Sequence, residues 1–132
     1  MFVSPSPYLW AQGKTDVMFS TGDLAPDGNG RLSSFFPPSM NDSGQTVFRS
    51  QLMDTALGTA DDLGIFTGDG IDLIQVVRRG DLLGGSAIIN LPQLGASVNR
   101  YGQVGYLATL ANGNEIYTGW TLDLQIRIDK IC

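Results

Sequence analysis

The octapeptide NDSGQTVF at 41–48 returns, altered but recognisable, as NRYGQVGY at 99–106. The spacing is 58 residues, and other landmarks keep it. Gly22-Asp23 corresponds to Gly80-Asp81, and Gly44-Gln45 to Gly102-Gln103. The segment YLWAQGKTDVMFSTGD, ending at Asp23, aligns without a gap on FTGDGIDLIQVVRRGD, ending at Asp81, so Tyr8 falls on Phe66. A chain of 132 residues that repeats itself at one fixed offset must fold as copies of one small unit laid against each other. A partial third match follows. IYTGWTLDLQIRID at 116–129 resembles IFTGDGIDLIQVVR at 65–78, now at an offset of 51, because the loop MDTALGTADDLG has no full counterpart. Length changes of that kind belong in loops.

The repeat divides the single region 1–132 into three parts. Residues 1–21 are the end of a preceding unit, 22–79 a complete unit, and 80–132 a second, divergent and incomplete one. Because the chain starts and stops in mid-unit, it is expected to be a fragment of a longer array.

Within each unit the periodicity is that of strands. In TVFRSQL at 46–52, Phe48, Ser50 and Leu52 share one face and Val47, Arg49 and Gln51 the other. Tyr106, Ala108 and Leu110 take the first face in the second copy. A period of two marks a half-buried strand. IDLIQVV at 71–77, rich in β-branched residues between glycines, reads the same way. So do 16–20, 64–67, 86–90, 115–118 and 124–128. The one helix-like window, QLMDTALGTADDL, is broken by Gly58 and carries no sustained apolar face. Asn41-Asp-Ser-Gly44 is expected to turn the chain: asparagine bonds its own backbone two residues on, and glycine accepts positive φ. Phe48 then enters the core. Asn99, Gly102 and Tyr106 repeat the arrangement. DGNG at 27–30 and GDG at 68–70 read as further tight turns. The expected fold class is all-β, with antiparallel sheets forming about two propeller-like blades; a β-sandwich is the alternative.

Composition removes much chemistry. There is no histidine, which excludes serine–histidine and cysteine–histidine nucleophiles and the usual transition-metal ligand. The one cysteine, Cys132, can build neither a disulfide framework nor a zinc site. A net charge of −5 argues against nucleic acid as a partner. The lone basic pair, Arg78-Arg79, reads as a solvated strand end. No apolar run is long enough for a membrane span, and MFVSPSPYLW has no signal-peptide pattern.

Several short stretches invite a sharper reading. Asp23, Asp27 and Asn29 offer oxygen ligands that calcium prefers, without the spacing or closing glutamate of a calcium loop; a turn held by Asx bonds is the plainer explanation. Asp61 and Asp62 are adjacent carboxylates in an expected solvated loop, and neighbours on an extended chain point apart. Arg79-Gly80-Asp81 matches an adhesion tripeptide, but the repeat already accounts for Gly80-Asp81. Trp10 and Trp120 could offer rings to sugars; core packing is the commoner role. Tyr8, Phe66, Tyr117 and the Phe48/Tyr106 pair read as core.

NDSGQTVF resembles the hallmark of the NxxGxxAF tandem-repeat family of bacterial surface proteins, which carry varied C-terminal anchors. GDLAPDGNGRLSSF before it and GIFTGDG with LIQVVRRGD after it resemble the same family's unit, so the likeness covers about 8–129. The second copy departs from the pattern at Gly105 and Tyr106, and LLGGSAI replaces the family's APDGNG. The resemblance implies a secreted or surface-displayed repeat protein and transfers no catalytic residue. The resulting expectation is a non-enzymatic module for surface display, binding or adhesion, with no cofactor other than possible calcium. Its partners would be further repeat units, or other copies joined through open sheet edges, and a glycan or protein ligand. The alternative is a propeller hydrolase acting on carbohydrate through aspartates.

Overall fold

The computed structural model describes residues 19–68, 72–92, 96–120 and, as main chain, 127–131. Tyr8, Trp10, residues 16–18 of one expected strand, Asp69 and Gly70 of an expected turn, Ile71, residues 124–126 and Cys132 lie outside them. The chain is all-β, built as two antiparallel sheets. The first contains β1 (Arg31–Phe35), β2 (Ser39–Met40), β3 (Thr46–Met53), β4 (Leu63–Gly68) and β5 (Leu73–Arg78). β1 and β2 both lie along β3, so the order is β1/β2, β3, β4, β5. The second contains β6 (Leu82–Leu83), β7 (Ser86–Asn90), β8 (Ser97–Val98), β9 (Val104–Leu110), β10 (Glu115–Trp120) and β11 (Arg127–Ile131). β7 and β8 lie along β9, followed by β10 and β11, with β6 beyond β7. The topology of the first sheet is thus repeated in the second.

The equivalence extends to single hydrogen bonds. At each Gly-Asp turn the Asp N–H donates to the carbonyl three residues back, Ser20 or Arg78, at 3.0 Å. The Asp carboxylate accepts the N–H of that same residue, at 2.7 Å for Asp23 and 2.9 Å for Asp81. Gly22 N–H then donates to Leu32 O, and Gly80 N–H to Ile88 O. Repeated hydrogen bonds at repeated residues are what a duplicated unit should show.

Burial separates the two sheets. Every residue of β4 is buried, whereas β10 alternates. The first sheet is covered on both faces. On one, Phe48 and Phe66 gather with Leu32, Leu52 and Ala25, and Phe19 stacks on Phe48 at 4.1 Å between ring centroids. On the other, Val47, Leu63, Ile65 and Val77 meet Tyr106, Ala108, Leu110, Ile116 and Trp120 of the second sheet. Val47 is therefore buried, although a half-buried strand would have left it facing water. Each large apolar side chain so enclosed stabilises by about 1.5–3 kcal/mol, and this inter-sheet core holds the units together.

The sheets differ in one consequential way. Phe48 pairs with Phe66 across β3 and β4. Its counterpart Tyr106 pairs with Thr118, not with Tyr117, across β9 and β10. The matching sequences IFTG and IYTG thus lie one residue out of step. A slip of one residue turns every side chain to the opposite face. Ile116, Thr118 and Trp120 point into the core; Tyr117, expected there, is 48% exposed. β1, β2, β6 and β8 were not anticipated from the sequence. Among the described residues, the helix-like window forms only a short 3₁₀ turn, Gly58–Ala60.

Candidate functional site

The two Asn-x-x-Gly-Gln corners are the hairpin loops between β2 and β3 and between β8 and β9. In each, the asparagine Oδ1 accepts two main-chain N–H groups: Ser43 and Gln45 for Asn41, Tyr101 and Gln103 for Asn99. Asn41 N–H donates to Gln45 O and Asn99 N–H to Gln103 O, both at 3.0 Å. Gly44 and Gly102 sit at φ of 83° and 82°, a left-handed conformation that favours glycine. The sequence reading of both corners as turns is thereby given its geometry.

The corners also touch. Asn41 Nδ2 donates to the Asn99 carbonyl at 2.9 Å. Gln45 Nε2 donates to Thr67 Oγ1 at 2.9 Å and reaches the Gly102 carbonyl at 3.5 Å. A Cβ on Gly102 would stand 2.9 Å from Gln45 Oε1, so the approach uses the missing side chain as well as the φ angle. The first unit's Asn and Gln therefore grip the main chain of the second unit's corner. Sequence reasoning found these residues as turn formers and missed this second use. The signal was present in the identical Asn and Gln at both positions.

On the outer face of the second sheet the equivalent Asn99 and Gln103 are exposed. They border a groove of about 420 Å³, whose wall includes Tyr117 and Trp120 and whose floor has Gly105 and Gly119. Those glycines face each other across β9 and β10. Among the described residues the lining supplies two carboxamides, the hydroxyls of Ser97, Tyr117 and Thr118, and aromatic surface. This chemistry suits recognition of a polar main chain or a planar group.

The acidic candidates lie elsewhere, in a cluster joining three loops of the first unit. Arg78, expected at a solvated strand end, is 3% exposed. Its Nη1 contacts both oxygens of Asp27 at 2.8 and 2.9 Å, its Nε donates to Asp61 O at 2.7 Å, and its Nη2 donates to Asn29 O. Asn29 Nδ2 donates to Asp61 Oδ2 at 2.8 Å, and Asn29 Oδ1 accepts Ala56 N–H at 2.8 Å. Asp61, expected in a solvated loop, is 5% exposed. Burial works against its ionisation, but hydrogen bonds from Thr55, Asn29 and Leu57 and the nearby Arg78 charge outweigh burial and hold its pKa below the ordinary value. Asp62 pairs instead with Arg79 at 2.8 Å. The two carboxylates do point to different partners.

The three calcium candidates are engaged as turn and loop partners, and the Asx bond expected of such a turn is present: Asp27 Oδ1 accepts Asn29 N–H at 2.9 Å. Asp23 serves the Gly-Asp turn, Asp27 meets Arg78, and Asn29 meets Asp61 and Ala56. In Arg79-Gly80-Asp81, the arginine bonds Asp62 and Thr59 O, and the aspartate bonds Arg78 N–H. Trp120 is mostly buried.

A model for a family of unknown function (DUF7453) matches residues 6–119. No curated protein and no solved structure matches the chain.

Proposed function

The chain belongs to the DUF7453 family of unknown function, and we propose that it acts as a non-enzymatic repeat module of a propeller-like array, displayed outside the cytoplasm to build and present binding surface. The observation that carries this reading is the Asn41–Asn99 contact. A residue type inherited at both corners is used to fasten one unit to the next, which is what an array-forming module requires. The aspartates support it from the other side. Asp23, Asp27, Asp61, Asp62 and Asp81 each take part in a turn or a loop-to-loop bond, so these carboxylates have structural tasks. The location outside the cytoplasm, and the placement among NxxGxxAF repeat proteins, rest on the resemblance of NDSGQTVF and its flanks.

Two measurements on producing cells test the reading. Protease added to intact cells should remove the protein from the surface, and a panel of glycans incubated with it should remain unhydrolysed. Protection from protease, or turnover that Asp62→Asn abolishes in a folded protein, would contradict it.

A further inference from the structure

The interface inside this chain has a second, equivalent surface that the chain itself leaves exposed. Asn41 and Gln45 of the first unit hold the Asn99–Gly102 corner, and both are partly buried by it. Asn99 and Gln103 occupy the same positions of the second unit, with the same corner geometry, and face solvent. Beside them the groove is reshaped by exchanges at the positions that make the inner contact, with the Tyr117 ring lying beside Gly105. Gly105 stands where the first unit has Val47, fully buried against the second sheet. Through the one-residue slip, Tyr117 takes the structural place of Ile65, which is also fully buried.

The complementary piece is on the chain as well. Val98, just before the second corner, packs against the inter-sheet core. Its counterpart Met40, just before the first corner, is 62% exposed. Asp42 and Ser43 of that corner are exposed too. Asp42 corresponds to Arg100, so corners stacked in the same order set opposite charges side by side.

We propose that the groove of the second unit seats the Met40–Gly44 corner of a second copy of this chain, joining copies head to tail. The proposal rests on the repeat reading above. Asn99 Nδ2 takes the role of Asn41 Nδ2 and donates to the incoming Asn41 carbonyl. Gln103 Nε2 reaches the incoming Gly44 carbonyl, and Met40 covers Tyr117 and the glycine floor. Because the two surfaces differ, the contact is heterologous: it extends into chains or closes into rings, and does not stop at a symmetric dimer.

Sedimentation of the purified chain, with two variants and their mixture, tests this. Met40→Asp spoils the corner and keeps the groove; Tyr117→Asp spoils the groove and keeps the corner. Both positions are exposed, so each monomer should retain its circular dichroism. Gly105→Val, which restores the first unit's residue and fills the floor, is a second groove variant. The wild-type mass should rise with concentration beyond a dimer. Each variant alone should stay monomeric over the same range, with association weakened at least about tenfold. An equimolar mixture of Met40→Asp and Tyr117→Asp should give a dimer and nothing larger, since one good surface of each kind remains. A wild-type chain monomeric to about 1 mM, the weak end of specific affinities, would overturn the proposal. So would variants that associate like wild type, or a mixture that stays monomeric. Such failures would leave protease accessibility and glycan stability untouched, so the display reading stands or falls separately.

Discussion

The side-chain amide of Asn41 donates at 2.9 Å to the main-chain carbonyl of Asn99, its own counterpart in the next unit. The same carboxamide does two tasks. Its oxygen shapes the local corner, and its nitrogen fastens that corner to the following one. Replacement by aspartate separates them, because the acceptor stays and the donor is lost. Asn41→Asp should destabilise the fold by about 1–2 kcal/mol, since a carboxylate would then face the Asn99 carbonyl. Asn99→Asp changes an exposed group and should stay within about 0.5 kcal/mol. Denaturant melts of the two variants check the asymmetry.

Gly44 and Gly102 share a left-handed φ, but only Gly102 lies against a neighbour. Alanine at Gly44 meets nothing within 4 Å, so its effect is the backbone strain alone, about 1–2 kcal/mol. Alanine at Gly102 must also displace the Gln45 carboxamide from Thr67 and the Gly102 carbonyl, adding about 1 kcal/mol. In a Gln45→Ala background the two substitutions should become alike. A double-mutant cycle by chemical denaturation measures this.

The loop cluster predicts an unequal pair. Arg78→Met leaves the Asp61 and Asn29 carbonyls without their donor and should lower stability by about 2–4 kcal/mol. Asp27→Asn removes the charge from a partly exposed partner and should lower it by under about 1 kcal/mol. Asp61 adds a pH dependence. Its folded pKa lies below the ordinary 3.8, so its stabilising contribution is present above that value and is lost as pH falls through the folded pKa beneath it. Wild type should therefore lose melting temperature on acidification below about pH 4, and Asp61→Asn should show a shallower loss over the same interval.

Phe66 and Tyr117 match in sequence and differ in surroundings. Phe66→Ser empties a fully buried site and should cost at least about 3 kcal/mol, whereas Tyr117→Ser on the open face should cost under about 1 kcal/mol. Comparable losses in urea melts would mean that β9 and β10 are not out of step with β3 and β4.

The strand class and both hairpin corners were legible because each is a local instruction written twice; the two Gly-Asp pairs were legible as repeat landmarks, and the structure adds that each is a turn. β1 was not, because RLSSF is short, serine-rich and largely exposed, and its place is set by pairing with β3. The face of Tyr117 was not legible either. IYTG has the pattern of IFTG, and only the shorter loop before β10, together with the pairing it permits, decides which alternation points inward. Arg78 and Asp61 looked solvated because their partners are far along the chain; Arg78 finds Asp27 across 51 residues. The groove was invisible for a related reason. It is defined by a glycine in place of a valine and, through the slip, a tyrosine in place of an isoleucine, and such exchanges acquire meaning only beside the filled interface of the first.

The claim on which the account turns is that one corner holds its copy through Asn41. A nitrogen-edited NOE spectrum of the labelled chain measures it directly. The account predicts cross-peaks from the Asn41 side-chain amide protons to the backbone protons of Asn99 and Arg100, lost in Asn41→Asp. Asn41 amide protons whose only cross-peaks run to their own corner and to water would contradict it.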